Sequence, residues 1–293
     1  MPLLLLLMQI LQGIDMAKVL VTESYLSDIA DAIRSKNGAS STYTPAQMAS
    51  AVEALETKKC GVTLDDVIGD LNSAGQLATP SRSGTISFDD IKSVAAYALA
   101  YKFYRNNGVT GATFPDLTTI STSTALAYAF STATHLASIA FPSLTTVSGA
   151  NACQYLCYAC SALTSASFPK LATIGVTANS ANNRNFYYAF NDCSALTEVR
   201  FPLLAHIYCN GTAANQGTFA YCFNKSVKLY FPELTTIAKG TSYTNETAAK
   251  NIFNNCAGIT EIHFASANKT AIEASAGYST KWGATNATIS FDL

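Results

Sequence analysis

From about residue 100 onward the apolar positions recur in blocks, not as one long helical or alternating run. A Phe-Pro pair marks each block, at Phe114-Pro115, Phe141-Pro142, Phe168-Pro169, Phe201-Pro202 and Phe231-Pro232. In a sixth block Phe264 is followed by Ala265. Successive Phe positions are 27, 27, 33, 30 and 33 residues apart. Self-similarity at such a period signals one supersecondary unit repeated along the chain. An apolar residue stands five before the Phe (Val109, Leu136, Leu163, Leu196, Ile259) and, in several blocks, another two before it (Ile139, Val199, Leu229, Ile262). Thr197-Glu198-Val199-Arg200-Phe201 alternates polar and apolar, which predicts a short half-buried strand. Proline ends it, having no N–H for a ladder. Leu-Thr-Thr-Ile at 117–120 and 234–237 adds further inward positions. One such unit cannot bury its apolar face alone, so stacking of units is expected.

Before the repeats the pattern is helical. Thr22 caps a stretch with Leu26, Ile29, Ala30 and Ile33 on one face, and Asn37-Gly38 stops it. Thr44-Pro45-Ala46-Gln47 starts a second stretch, with Met48, Val52 and Leu55 as its stripe. The expected organisation is an apolar N-terminal extension (1–21), a helical attachment module and linker (22–80), a repeat region (81–264) and a C-terminal cap (265–293). The extension is too short to span a bilayer, and no basic residue precedes its apolar run. Thr85 to Phe88 reads as the strand that opens the repeats, and Ile91 to Tyr104 as a degenerate first unit. Asn268 to Ala276 reads as a helix ended by Gly277, and Ala287 to Phe291 as a final strand.

Charged residues make up 13% of the chain and the net charge is −1. That balance gives no electrostatic basis for binding nucleic acid or an anionic membrane. Of the eight cysteines, Cys160, Cys193, Cys222 and Cys256 hold one repeat position, where a thiol packs as a small hydrophobe. Cys153, Cys157 and Cys160 have the spacing of a cluster- or zinc-binding triplet. Against that, Cys160 already has a place in the repeat, and Cys157 aligns with the core position Phe190. No metal or other cofactor is expected. His135, His206 and His263 lack a nucleophile partner, acidic pairs suited to catalysis are scarce, and no phosphate loop or nucleophile elbow is present. An enzyme is therefore not expected.

The pattern AF-x-x-C-x-x-L-T-x-x-x-FP-x-L-T-x-I resembles the BspA-like leucine-rich repeats of bacterial surface and phage proteins, over roughly residues 100–264. The string LSDIADAIRSKNG…YTPAQMASAVEAL is similar to a short module of phage and prophage tail proteins, and the ending GYSTKWGATNATISFDL to the ends of tail proteins carrying these repeats. Together they imply an α+β chain: an N-terminal helical hairpin followed by a leucine-rich-repeat β-solenoid with a C-terminal cap. They further imply a phage tail fibre or receptor-binding protein in the virion tail, whose partners are a bacterial cell-surface receptor (glycan or protein) and tail or baseplate proteins. A homo-oligomer is expected, a trimer being common among tail fibres, with no nucleic-acid partner and no membrane insertion. A bacterial surface adhesin and a purely structural tail subunit remain open alternatives.

Unit length varies at one place, between the Ile of the L-T-x-I segment and the next aromatic, which puts the insertions on one face. Those segments and their borders carry Tyr155, Tyr158, Arg184, Asn185, Tyr187, Tyr208, Asn210 and Tyr243. Tyr with Asn offers rigid aromatic area beside adaptable hydrogen bonds, so these residues are the candidate ligand face.

Overall fold

The computed structural model describes residues 83–175, 184–209, 211, 213–239 and 246–293. The chain divides into two compact units, 1–60 and 61–293, and every described residue belongs to the second. The expected extension and helical hairpin lie outside the described residues, as do Asn210 and Tyr243.

The alternating segments form short strands, and each Phe-Pro pair closes one of them or directly follows it. β1 (Gly84–Ser87), β2 (Val109–Thr113), β4 (Ser138–Ala140) and β6 (Ser165–Ser167) make one four-stranded sheet in the order β1-β2-β4-β6. β8 (Glu198–Arg200), β10 (Val227–Phe231), β12 (Ile259–Phe264) and β13 (Thr288–Phe291) make a second, in the order β13-β12-β10-β8. The Thr-Ile segments pair separately. β3 (Thr119–Ile120), β5 (Thr146–Val147), β7 (Thr173–Ile174), β9 (His206–Cys209) and β11 (Thr236–Lys239) form a five-stranded sheet. All named strand pairs are parallel, because each unit runs the same course and returns in register with its predecessor.

Register carries the core. Ala112, Ile139 and Ala166 are partners across β2, β4 and β6, and Val199, Leu229 and Ile262 across β8, β10 and β12. All six are buried. The residue after each strand continues the ladder: the Phe114 N–H donates to Ala140 O and the Phe141 N–H to Ser167 O, both at 2.9 Å. The marking phenylalanines therefore stack along the interior. Phe88, Phe114, Phe141, Phe168, Phe201, Phe231, Phe264 and Phe291 form one column with centroid spacings of 4.3, 4.9, 5.3, 5.6, 5.2, 5.9 and 5.7 Å.

This architecture corrects the expected class. The α+β expectation, with a leucine-rich-repeat β-solenoid, is replaced by three parallel sheets with few helices, an α/β-like arrangement. Among the described residues the α-helices are α1 (Thr247–Lys250) and α2 (Lys269–Glu273), of four and five residues. The outer strands do not run on as one ladder. They divide between β6 and β8, where the unit lengthens to 33 residues. The opening and closing strands occur as expected, as β1 and β13. The predicted helix at 268–276 is reduced to α2 and an adjoining 3-10 turn at Ser266–Asn268. It ends at Ala274, not at Gly277, which at φ 91° instead opens a 3-10 segment at Tyr278–Gly283, and there Trp282 is fully buried against Phe264 at 5.8 Å.

Candidate functional site

A third wall completes each unit, and it contains turns instead of strands. In the unit from Tyr97 to Asn106, alternate N–H groups bond within the unit and across to the next. Ala100 N–H donates to Tyr97 O and Tyr104 N–H to Tyr101 O, at 3.1 Å each. Between them, Tyr101 N–H donates to Ala127 O at 3.1 Å and Phe103 N–H to Ala129 O at 2.8 Å. The pattern recurs in the units that follow. This alternation of turn and inter-unit bonds goes with a left-handed residue at every fourth position. These are Tyr97, Tyr101 and Arg105, then Thr124, Tyr128 and Thr132, then Asn151, Tyr155 and Ala159. A side chain at such a φ costs about 1–2 kcal/mol.

The middle left-handed position holds tyrosine five times running. Tyr101, Tyr128, Tyr155, Tyr188 and Tyr221 lie at φ 53–60°. Their rings stack at 4.5, 4.4, 4.8 and 4.7 Å with interplanar angles of 8°, 7°, 4° and 8°. The ladder ends at Asn255, also left-handed, for Tyr221 N–H donates to the preceding Asn254 O at 2.7 Å. Flanking tyrosines meet it edge-on: Tyr104 on Tyr101 at 6.0 Å, Tyr158 on Tyr155 at 5.6 Å, and Tyr187 on Tyr188 at 4.7 Å and on Tyr221 at 5.6 Å. The guanidinium of Arg105 lies 5.0 Å over Tyr104 and that of Arg184 5.1 Å over Tyr187. Because the faces of successive rings cover each other, the wall offers ring edges and phenol groups. Burial pushes the Tyr128 phenol up to about 12, with the Tyr101 ring system adding to it. Tyr155, Tyr187 and Tyr188 are raised too, again chiefly by burial. These four phenols therefore stay neutral throughout the physiological range.

Four of the sequence candidates, Tyr155, Tyr158, Arg184 and Tyr187, come together on this wall. Two others do not. Asn185 is fully buried, its Nδ2 donating to Gly149 O at 2.8 Å, and it belongs to the interior. Tyr208 sits on β9 beside His206 at 6.0 Å and makes no ring contact with the ladder. Sequence reading missed Tyr101, Tyr128, Tyr188 and Tyr221. The signal was present: tyrosine precedes Phe114, Phe141, Phe168 and Phe201 by the same thirteen residues.

On the β8–β13 sheet the charged groups pair with one another. His263 meets Asp292 at Nδ1 and Glu261 at Nε2, both at 2.9 Å, and stacks on Tyr230 at 4.6 Å. Arg200 covers the same tyrosine at 3.8 Å and pairs with Glu198, while Lys228 pairs with Glu261 at 2.8 Å. Cys153, Cys157 and Cys160 are buried free thiols, and among the described residues no group of His, Cys, Asp and Glu is placed to hold a metal ion. Burial raises the Cys153 and Cys157 thiols well above their usual range. No described helix is long and apolar enough to cross a membrane. In comparisons with known proteins the chain matches no family model and no curated protein, so the tyrosine wall itself has to carry the functional reading.

Proposed function

We propose that this protein recognises the surface of a bacterial host as the receptor-binding component of a phage tail, and that the tyrosine wall is its binding face. The observation that carries this reading is the ladder of five stacked tyrosines at left-handed backbone positions. Backbone strain held in place by its surroundings concentrates at functional sites. Here it is spent five times on the same side chain, although asparagine or glycine would adopt that φ with less strain. Tyrosine supplies large contact area with few torsions to freeze, and stacking fixes those torsions before a ligand arrives. The likeness of the terminal segments to tail proteins supplies the setting.

The experiment is saturation binding of fluorescently labelled full-length protein to a panel of bacterial strains. Saturable binding to a subset of strains is expected. The double variant Tyr155→Ala/Tyr188→Ala should lose it, whereas Arg200→Gln, on the β8 sheet, should keep it. Undiminished binding by a folded double variant would overturn the assignment of the face. Failure of the intact protein to bind any strain would overturn the function.

A further inference from the structure

Charge is distributed unevenly between the walls. On the β8–β13 sheet Arg200 pairs with Glu198 and Lys228 with Glu261, and the His263 ring lies between Glu261 and Asp292. The tyrosine wall differs. Its acidic groups are already held, Asp192 by Lys225 at 3.2 Å and by Asn224 Nδ2 at 2.8 Å, and Glu246 by Lys250 at 3.7 Å. The wall's two guanidiniums, Arg105 and Arg184, pair with no carboxylate among the described residues. Each is instead set against a flanking tyrosine, Tyr104 or Tyr187. Both stand four residues from a ladder tyrosine, but on opposite sides: Arg105 follows Tyr101, and Arg184 precedes Tyr188. The register therefore sets them diagonally across the row, in its first and fourth units.

We infer that the wall binds an acidic, hydroxyl-bearing polymer, a sugar or polyol chain whose carboxylate or phosphate groups meet Arg105 and Arg184 while its hydroxyls bond along the row of phenols. This rests on the binding face proposed above and names its ligand class. A guanidinium is a forked donor suited to either anion, and packing on an aromatic ring fixes its direction in advance. A row of neutral phenols, each able to donate and to accept, suits a ligand dense in hydroxyl groups. A single-stranded nucleic acid is also an anionic polymer. It would require open ring faces for its bases, and in the ladder neighbouring rings 4.4–4.8 Å apart cover those faces.

The test uses the full-length protein against immobilised polygalacturonate, poly(glycerol phosphate), neutral dextran and a single-stranded oligonucleotide. Binding to polygalacturonate or to poly(glycerol phosphate) is expected, which tells a carboxylate from a phosphate source, with weaker binding to dextran and to the oligonucleotide. Arg105→Gln/Arg184→Gln should weaken it by about tenfold or more, and Arg105→Lys/Arg184→Lys should restore part of the loss. Thermal melts matched to the parent would show that the variants remain folded. Equal affinity for dextran, tighter binding to the oligonucleotide, no binding to either acidic polymer, or a Gln variant that binds like the parent would each overturn the inference. The two proposals fail separately. If the Gln variant still binds cells that the Tyr155→Ala/Tyr188→Ala variant cannot, the binding face stands and the acidic ligand falls.

Discussion

At the scale of single residues, the ladder tyrosines balance a local cost against contacts with two neighbours. Tyr155 stacks on Tyr128 and Tyr188, and each aromatic pair contributes about 0.5–1.5 kcal/mol. Asparagine, which ends the same column at Asn255, tolerates the left-handed φ but cannot stack. Tyr155→Asn should therefore destabilise the protein less than Tyr155→Ala, and Tyr155→Ala by about 1–3 kcal/mol in urea unfolding. Equal losses would mean that backbone strain is immaterial at this site. The phenols also link stability to pH. The Tyr128 phenol is raised from 10.0 to about 12, so its neutral form is favoured in the folded state. That contribution is complete below pH 10 and is lost as pH rises through about 12. Tyrosinate absorbance of the native protein should lag behind that of the unfolded chain over this interval, and Tyr128→Phe should narrow the gap. Cysteine follows the same logic. Cys160, Cys193 and Cys256 donate to the carbonyls of Phe130, Cys157 and Phe219 at 3.0, 3.0 and 2.9 Å, and all three are buried. In a Cys60→Ser background, thiol reagents should label the native protein at a negligible rate and label it stoichiometrically once denaturant is added.

At the scale of the element, the interior phenylalanine column joins all three sheets' units, so its members are not interchangeable with smaller residues. Phe141 is fully buried between Phe114 at 4.9 Å and Phe168 at 5.3 Å. Phe141→Ala should cost about 3–5 kcal/mol, read as a shift of the denaturation midpoint. Gly175 is constrained differently. It turns at φ +79°, and a Cβ there would fall on the Tyr208 carbonyl, so Gly175→Ala combines strain with a clash between β7 and β9. These core features were largely legible beforehand. The Phe-Pro spacing located the strands, and the shared cysteine position was read as buried packing. The fold class was not legible, because apolar spacing shows where strands lie but not which edges pair or where a sheet divides. The tyrosine ladder went unread for a physical reason. Its residues occupy turns, where propensity favours glycine and asparagine, and attention to length variation pointed to the insertions instead. Asn185 shows the opposite error: a polar residue beside an insertion is in fact sealed inside, bonded to Gly149.

At the scale of the whole molecule, the C-terminal segment packs onto the last Phe-marked unit. β13 covers the edge of β12, Phe291 covers Phe264, and Asp292 fixes His263. Deleting 288–293 should expose that edge, and an exposed parallel edge invites pairing with another chain. Size-exclusion chromatography should then show self-association, and emission from Trp282, the sole tryptophan of the chain, should move toward that of a solvated indole. The spacing of the outward tyrosines is set separately from the length of the units. Tyr128 and Tyr155 are 27 residues apart and stack at 4.4 Å, while Tyr155 and Tyr188 are 33 apart and stack at 4.8 Å. Six added residues change the spacing by a few tenths of an ångström. Sequence inserted at that point of a unit therefore leaves the aromatic row in step, like a ruler whose marks hold their places however much cord is looped between them.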